Sequence, residues 1–163
     1  MIPAKTPTNH RGAFILLEGV DRCGKTTQSG LLLNRLLAAG CAAAAMRFPD
    51  RTTATGAIIN NYLQSAQNLD DRAIHLLFSA NRWEAASTLT NHLRNGTSVV
   101  CDRYAYSGVA FSAAKVTDGD AAQGGGVPVL DLEWCQAPDR GLPAPDCVIF
   151  LDLTQEEAEK RGG

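Results

Sequence analysis

The stretch Phe14-Ile15-Leu16-Leu17-Glu18-Gly19-Val20-Asp21-Arg22-Cys23-Gly24-Lys25-Thr26-Thr27 decides how this chain folds. Residues 14–17 form a short continuous apolar run, the pattern of a strand buried on both faces of a parallel sheet. Residues 19–26 then fit G-x-x-x-x-G-K-[ST], the loop that cradles phosphate groups. Each fixed position has a physical reason. Gly19 and Gly24 permit backbone angles that a Cβ forbids, so successive N–H groups can turn toward an anion. Lys25, expected on the solvent side of the loop, brings a point charge to the β- and γ-phosphates. The Thr26 hydroxyl can ligate Mg²⁺. Residues 28–39 carry Leu31, Leu32, Leu36 and Leu37 near helical spacing, so a helix follows and its N-terminal dipole faces the phosphates. The strand before and the helix after distinguish this loop from a chance match in a glycine-rich turn.

Outward from this stretch, strands and helices alternate. Residues 1–11 read as a flexible tail. Residues 42–48 are the next candidate strand, weak in propensity because of their alanines. A short helix is predicted over 55–63 and a long one over 70–93, stopped by the breaker pair Asn95-Gly96. Residues 98–101 form another apolar strand ending at Asp102, and 107–115 look helical. The glycine-rich segment 116–129 reads as a mobile surface loop, and 130–136 as one or two helical turns. Pro143 and Pro145 introduce a last strand over 147–153, after which Thr154 and Glu157 form a capping box that starts a helix. This alternation predicts one α/β domain: a parallel sheet with right-handed crossovers and helices on both faces. Functional residues then gather at the carboxyl ends of the strands.

Composition narrows the possibilities. A chain of 163 residues, 45% hydrophobic and 20% charged, suits a single globular domain with a proper core. No apolar run approaches a membrane span, and the first eleven residues lack the apolar segment of a secretory signal. An intracellular protein, cytoplasmic or nuclear, is expected, with no membrane partner. A formal net charge of −2 argues against nucleic-acid binding through a broad basic surface. Eleven of the 15 basic residues are arginine, the residue suited to gripping planar oxyanions, which points to local anion sites. The five cysteines (23, 41, 101, 135, 147) contain no C-x-x-C pair and read as reduced, mostly buried thiols. Cys23 has two readings: a thiolate favoured by a helix N-terminus, or simply a small residue filling the turn.

Three further constellations carry chemistry. Asp102-Arg103 puts a carboxylate and a guanidinium at the end of a buried strand, where the first can hold Mg²⁺ or orient an acceptor and the second can neutralise a phosphoryl group. An ion pair capping the strand is the alternative. Asp152 competes as a strand-end carboxylate, but Leu153 and the Thr154 cap follow it directly, so Asp102 is preferred. Phe78 and Arg82 lie four apart on one helix face, where a ring and a guanidinium could stack on a base and bond to its edge. Alternatively, Phe78 is core and Arg82 a solvated charge. Finally, Arg47-Phe48-Pro49-Asp50-Arg51 follows the second strand and brings Arg47 and Phe48 to the sheet edge that carries the loop.

Together these blocks resemble thymidylate kinase of the eukaryotic type. The resemblance rests on residues 17–28, 47–51, 76–84, Asp102-Arg103-Tyr104-Ala105-Tyr106-Ser107-Gly108-Val109-Ala110-Phe111-Ser112 and Gly141-Leu142-Pro143-Ala144-Pro145-Asp146, in order along nearly the whole chain. It implies a three-layer P-loop NTPase fold of the nucleoside-monophosphate kinase kind, transfer of phosphate from ATP to dTMP with Mg²⁺ in dTTP synthesis, and a homodimer. It also implies roles. Gly19, Arg22, Cys23, Gly24, Lys25, Thr26 and Thr27 would bind the ATP phosphates, and Lys25, Arg22 and Asp102 would be catalytic. Thr26 and Asp102 would serve the metal. Asp21, Arg47, Phe48, Phe78, Arg82, Arg103, Gly108 and Phe111 would bind dTMP, with Phe78 stacked on thymine, Arg82 at its edge and Phe111 against the deoxyribose. The Phe48–Pro49 bond is expected to be cis. Family members continue beyond Arg161 into a lid over ATP and further helices, so this chain is expected to lack them. Two alternatives stay open: another P-loop nucleoside or nucleotide kinase, and a dTMP-binding fragment without turnover. A guanine-nucleotide switch is disfavoured by the absence of an Asn-Lys-x-Asp motif.

Overall fold

The computed structural model describes residues 10–115 and 130–160. The expected tail up to residue 9, the glycine-rich loop at 116–129 and the start of the expected lid lie outside the described residues. The chain forms two compact units, one of residues 1–46, 86–102 and 143–163, the other of 47–85 and 103–142.

The first unit is built on a four-stranded parallel sheet. Its strands are β1 (Phe14–Gly19), β2 (Ala43–Arg47, whose last residue falls in the second unit), β3 (Ser98–Asp102) and β4 (Cys147–Leu151), in the order β2-β3-β1-β4. β1 pairs in parallel with β3, Leu17 opposite Asp102, and with β4, Gly19 opposite Leu151. That second pairing carries β1 two residues past its apolar run. The chain leaves β1 for β2, past β3 on one side, and leaves β3 for β4, past β1 on the other, so the carboxyl ends of β1 and β3 form the switch point where ligands bind in such sheets. Helix α1 (Lys25–Ala38) begins three residues earlier than the leucine spacing suggests, because Gly24 is its N-cap in a left-handed conformation, φ 96°. The Asp146 carboxylate accepts from the Phe14 N–H at 2.7 Å and pairs with Arg11, which pins the start of β1.

β4 ends at Leu151, two residues short of the expected strand. Its apolar sequence is not matched by burial: Phe150 is 63% exposed, and Val148 and Ile149 are exposed too. Among the described residues β4 is the sheet's edge. The helix after it, α6 (Gln155–Lys160), starts on the predicted capping box: Thr154 Oγ1 accepts from the Glu157 N–H, and the Glu157 carboxylate accepts from the Thr154 N–H.

The second unit packs α2 (Ala54–Leu63), the first turns of α3 (Asp71–Arg94), α4 (Ala105–Ala113) and α5 (Leu132–Gln136), which runs into a 3₁₀ turn at Ala137–Asp139. α4 begins two residues before the predicted start, since the left-handed Arg103 turns the chain directly into it. His75 of α3 is fully buried and ties three helices together: its Nδ1 lies 2.7 Å from Ser112 Oγ of α4, its Nε2 2.9 Å from the Cys135 carbonyl of α5. A carbonyl only accepts, so Nε2 carries the proton and Nδ1 accepts from Ser112. The Phe48–Pro49 peptide is cis, as expected. Among the described residues, no helix is long and apolar enough to cross a membrane.

Candidate active site

In the first unit the loop after β1 closes as its glycines require. Gly19 has φ 143°, and a Cβ there would fall 2.3 Å from the Leu151 carbonyl oxygen, so only glycine fits. Lys25 is not on the solvent side. It is 5% exposed, and its Nζ donates to the carbonyl oxygens of Gly19 (3.0 Å) and Val20, with Cys23 Sγ at 3.4 Å. The curled loop offers the ammonium two carbonyl acceptors, which hold the charge inside the turn. Cys23, itself in the loop, is buried. Asp21, Arg22, Thr26 and Thr27 are exposed.

Thr26 Oγ1, at the end of the loop, donates to Asp102 Oδ2 of β3 at 2.6 Å. Asp102 is buried, whereas Asp152 stands exposed past the end of β4, which favours Asp102 as the strand-end carboxylate. A hydroxyl and a carboxylate in contact are hard oxygen donors of the kind Mg²⁺ takes, usually one or two from protein with the rest from phosphate and water. Among the described residues, no group of three or more His, Cys, Asp or Glu side chains is placed to hold a metal ion. Next to Asp102, burial pushes the Cys101 thiol far up, reinforced by the charges of Asp102 and Glu18, so it stays an inert thiol. The cysteines are free; Cys23, Cys101 and Cys135 are buried, in line with the expectation of mostly buried thiols, while Cys41 and Cys147 are exposed.

In the second unit, Arg103 has a left-handed backbone, φ 69°, donates to Ser107 Oγ at 2.9 Å and lies over the Phe111 ring at 5.4 Å. Phe111 is 56% exposed. Three non-glycine residues have positive φ among those described: Ser65, Arg22 and Arg103. Such conformations cost about 1–3 kcal/mol and cluster at functional sites, and two of the three are candidate arginines. Arg47 is exposed at the end of β2. Phe48 is buried, its ring 5.5 Å from that of Tyr104. Phe78 is half-buried on α3. Arg82 is not the solvated charge of the alternative reading. It is buried and forked onto Asp139, Nε to Oδ1 at 3.1 Å and Nη2 to Oδ2 at 2.7 Å, with Gly108 against its guanidinium.

Several residues of this unit escaped the sequence reading. Ser79 donates to Asp139 Oδ1 at 2.7 Å. Asn81 is buried and clasps both backbone groups of Asp50: its Oδ1 accepts from the Asp50 N–H (2.7 Å) and its Nδ2 donates to the Asp50 carbonyl (3.0 Å). It thereby holds the turn after Arg47-Phe48-Pro49 on the helix that carries Phe78 and Arg82. A signal did exist. His75, Ser79 and Arg82 fall at helical spacing in line with Leu89 and Leu93, which places polar residues on the buried stripe of α3. Asp139, in a Pro-Asp-Arg-Gly turn, gave none.

Comparison with known proteins agrees with this geometry. The thymidylate kinase family profile matches residues 17–163. Thymidylate kinases of Dictyostelium discoideum and Homo sapiens are 51% and 48% identical over 93% of this chain. The chain spans 63% and 66% of their respective lengths, under two thirds. The solved thymidylate kinase of Candida albicans superposes with a TM-score of 0.83 at 42% identity, over 96% of this chain and 69% of that one. A thymidylate kinase from Ehrlichia chaffeensis gives 0.69 at 27% identity, over 93% of this chain and 82% of that one. The fold is that of the P-loop nucleoside-monophosphate kinases, and the chain belongs to the thymidylate kinase family.

Proposed function

We propose that this chain carries the donor-phosphate loop and the acceptor residues of an enzyme that transfers the γ-phosphoryl group of ATP to dTMP in dTTP synthesis. The observation that carries the reading is the phosphate loop of a thymidylate kinase family member with its Thr26 hydroxyl bonded to the buried Asp102. Phosphoryl transfer needs positioning and charge compensation rather than a covalent nucleophile. The loop N–H groups and Lys25 bind the donor phosphates. To do so Lys25 exchanges its carbonyl partners for phosphate oxygens. Arg22, exposed on its left-handed backbone, supplies charge where it develops on the transferring group. Thr26 and Asp102 would hold Mg²⁺, which when bound neutralises phosphate charge. Arg47 and Arg103 bind the acceptor phosphate, Asp21 the sugar hydroxyl and Phe111 the deoxyribose face. Phe48 and Gly108 shape the acceptor pocket, Phe78 stacks on the base and Arg82 bonds to its edge. A homodimer located in the cytoplasm, with no nucleic-acid or membrane partner, completes the proposal.

Calorimetric titration with dTMP and with thymidine, beside a coupled ADP-release assay, tests it. Binding of dTMP at least tenfold tighter than thymidine is expected, because two arginines serve the phosphate. Equal affinity would return the chain to a nucleoside kinase. Binding with no ADP release would make it a dTMP-binding chain without turnover. Phe78→Ala should weaken dTMP binding by about 1–3 kcal/mol, the range for base–aromatic stacking, and an unchanged dissociation constant would assign Phe78 to packing alone.

A further inference from the structure

We propose that Asp139 is a positioning residue that makes Arg82 a reader of a neutral carbonyl on the acceptor base, so that it selects a 4-oxo over a 4-amino pyrimidine. The inference rests on the reading of Arg82 given above and adds the group that sets its specificity.

The two side chains are 2% and 6% exposed, and two parallel hydrogen bonds fix the guanidinium in plane and in rotation. Asp139 is itself fixed. Ser79 donates to its Oδ1 at 2.7 Å, and Trp83 Nε1 donates to the neighbouring Pro138 carbonyl at 2.8 Å. Ser79, Arg82 and Trp83 are spaced three and four apart, so one face of α3 grips the turn through three side chains. From the other side, a Cβ on Gly108 would lie 2.9 Å from both Nη1 and Nη2. The guanidinium therefore sits between a carboxylate that holds it and a glycine that leaves it room.

A buried arginine without a counter-charge would hold any anion. Paired with Asp139 the unit is neutral overall, and the fork uses only the Nε–H and one Nη2–H. The N–H groups that remain are donors only, and Nη1 has no acceptor among the described residues. What faces them must accept hydrogen bonds without needing net charge. The 4-oxo group of thymine does so. The 4-amino group of cytosine presents donors to donors, which leaves polar groups unpaired out of water.

The test compares dissociation constants of dTMP and dCMP, measured by calorimetry on the 163-residue chain and on three variants. Asp139→Asn keeps the shape but removes the charge and one acceptor. Gly108→Ala leaves Asp139 intact, suits a helix interior and pushes on the guanidinium from the opposite side. Arg82→Lys removes the fork. Asp139→Asn and Gly108→Ala should each lower the preference for dTMP over dCMP by about tenfold or more, the equivalent of one charge-assisted hydrogen bond. A purely structural role would lower the melting temperature and the binding-competent fraction but leave both dissociation constants and their ratio in place. If the ratio stays within about twofold of wild type in the folded variants while Arg82→Lys lowers it, Asp139 does not set specificity. If Arg82→Lys also leaves the ratio unchanged, or the wild-type chain binds both nucleotides equally, the base-reading role of Arg82 fails and this inference falls with it. Should Asp139→Asn not fold, Gly108→Ala alone decides.

Discussion

The phosphate loop and the Arg82 network both hold charged side chains in place, and they do so by opposite means. The loop closes within eight consecutive residues: Lys25 bonds to carbonyls five and six positions before it, in a turn that Gly19 and Gly24 make possible. The network of the second unit closes over long distances in the chain. Arg82 meets Asp139 57 residues away, Asn81 meets Asp50 31 away, and His75 meets Ser112 and Cys135 at 37 and 60. A device closed locally constrains residue type at fixed spacing. One closed at a distance asks only that each member be polar on an otherwise buried face.

The largest expected effect is at the local end. Lys25→Met should reduce ADP release by about 10²–10³-fold or more, the usual loss when one donor to a transition-state oxygen is removed. It should also lower stability, because the ammonium is buried on two carbonyls; each orphaned buried group costs about 1–3 kcal/mol. A melt identical to wild type would mean that the lysine stands in solvent after all.

This contrast governs how much of the molecule could be read in advance. The order of strands and helices, the phosphate loop, the Thr154 cap and Asp102 at a strand end were all legible, since each depends on neighbours a few residues away. Two expectations fail for a common reason: Lys25 in solvent, and α1 from residue 28. Composition and periodicity report what a residue tolerates, whereas burial and capping depend on the backbone that lies beside it. Arg82 stood at the right place on the right helix. Its counter-ion Asp139 was invisible, because nothing in a Pro-Asp-Arg-Gly turn says which helix it will meet.

Asn81 measures the distant network directly. Asn81→Leu leaves the N–H and C=O of Asp50 without their side-chain partners, so a loss of about 2–4 kcal/mol is expected in denaturant titration. dTMP affinity should fall with it, since the clasped turn follows Arg47 directly. The exposed pair of Arg140 and Glu133 in the same unit is the control. Arg140→Ala should stay within about 0.5 kcal/mol. Equal losses from the two would show that burial, not the number of bonds, has been misjudged.

A smaller effect is expected from His75. Burial holds its pKa below the ordinary 6.5; the Cys135 carbonyl opposes this, Arg82 adds to it and Asp139 opposes it. The folded chain therefore binds the proton less readily than the unfolded chain. The contribution of His75 is present in full above pH 6.5 and is lost as the pH falls from there through the lowered folded value. Urea midpoints at pH 7.5 and 5.5 should show a decline that His75→Gln makes shallower. A decline of the same steepness in both proteins would assign it to other groups.

The smallest effect belongs to the motif that was easiest to read. Thr154 Oγ1 accepts from the Glu157 N–H at 3.3 Å while the Glu157 carboxylate bonds back to Thr154, the reciprocal pattern of a capping box. Yet α6 is six residues long, and both Thr154 and Glu157 are exposed, so little else depends on the cap. Thr154→Ala should cost about 0.5 kcal/mol, the low end of the range for such caps. The loss should appear as faster amide exchange at residues 156–158 with the global melt unchanged. A global shift as large as that of Asn81→Leu would mean that α6 is tied to the sheet by contacts its exposure does not reveal, and the contrast between local and distant devices would no longer track their energetic weight. As the structure stands, how plainly a motif is written in the sequence is a poor guide to how much it holds.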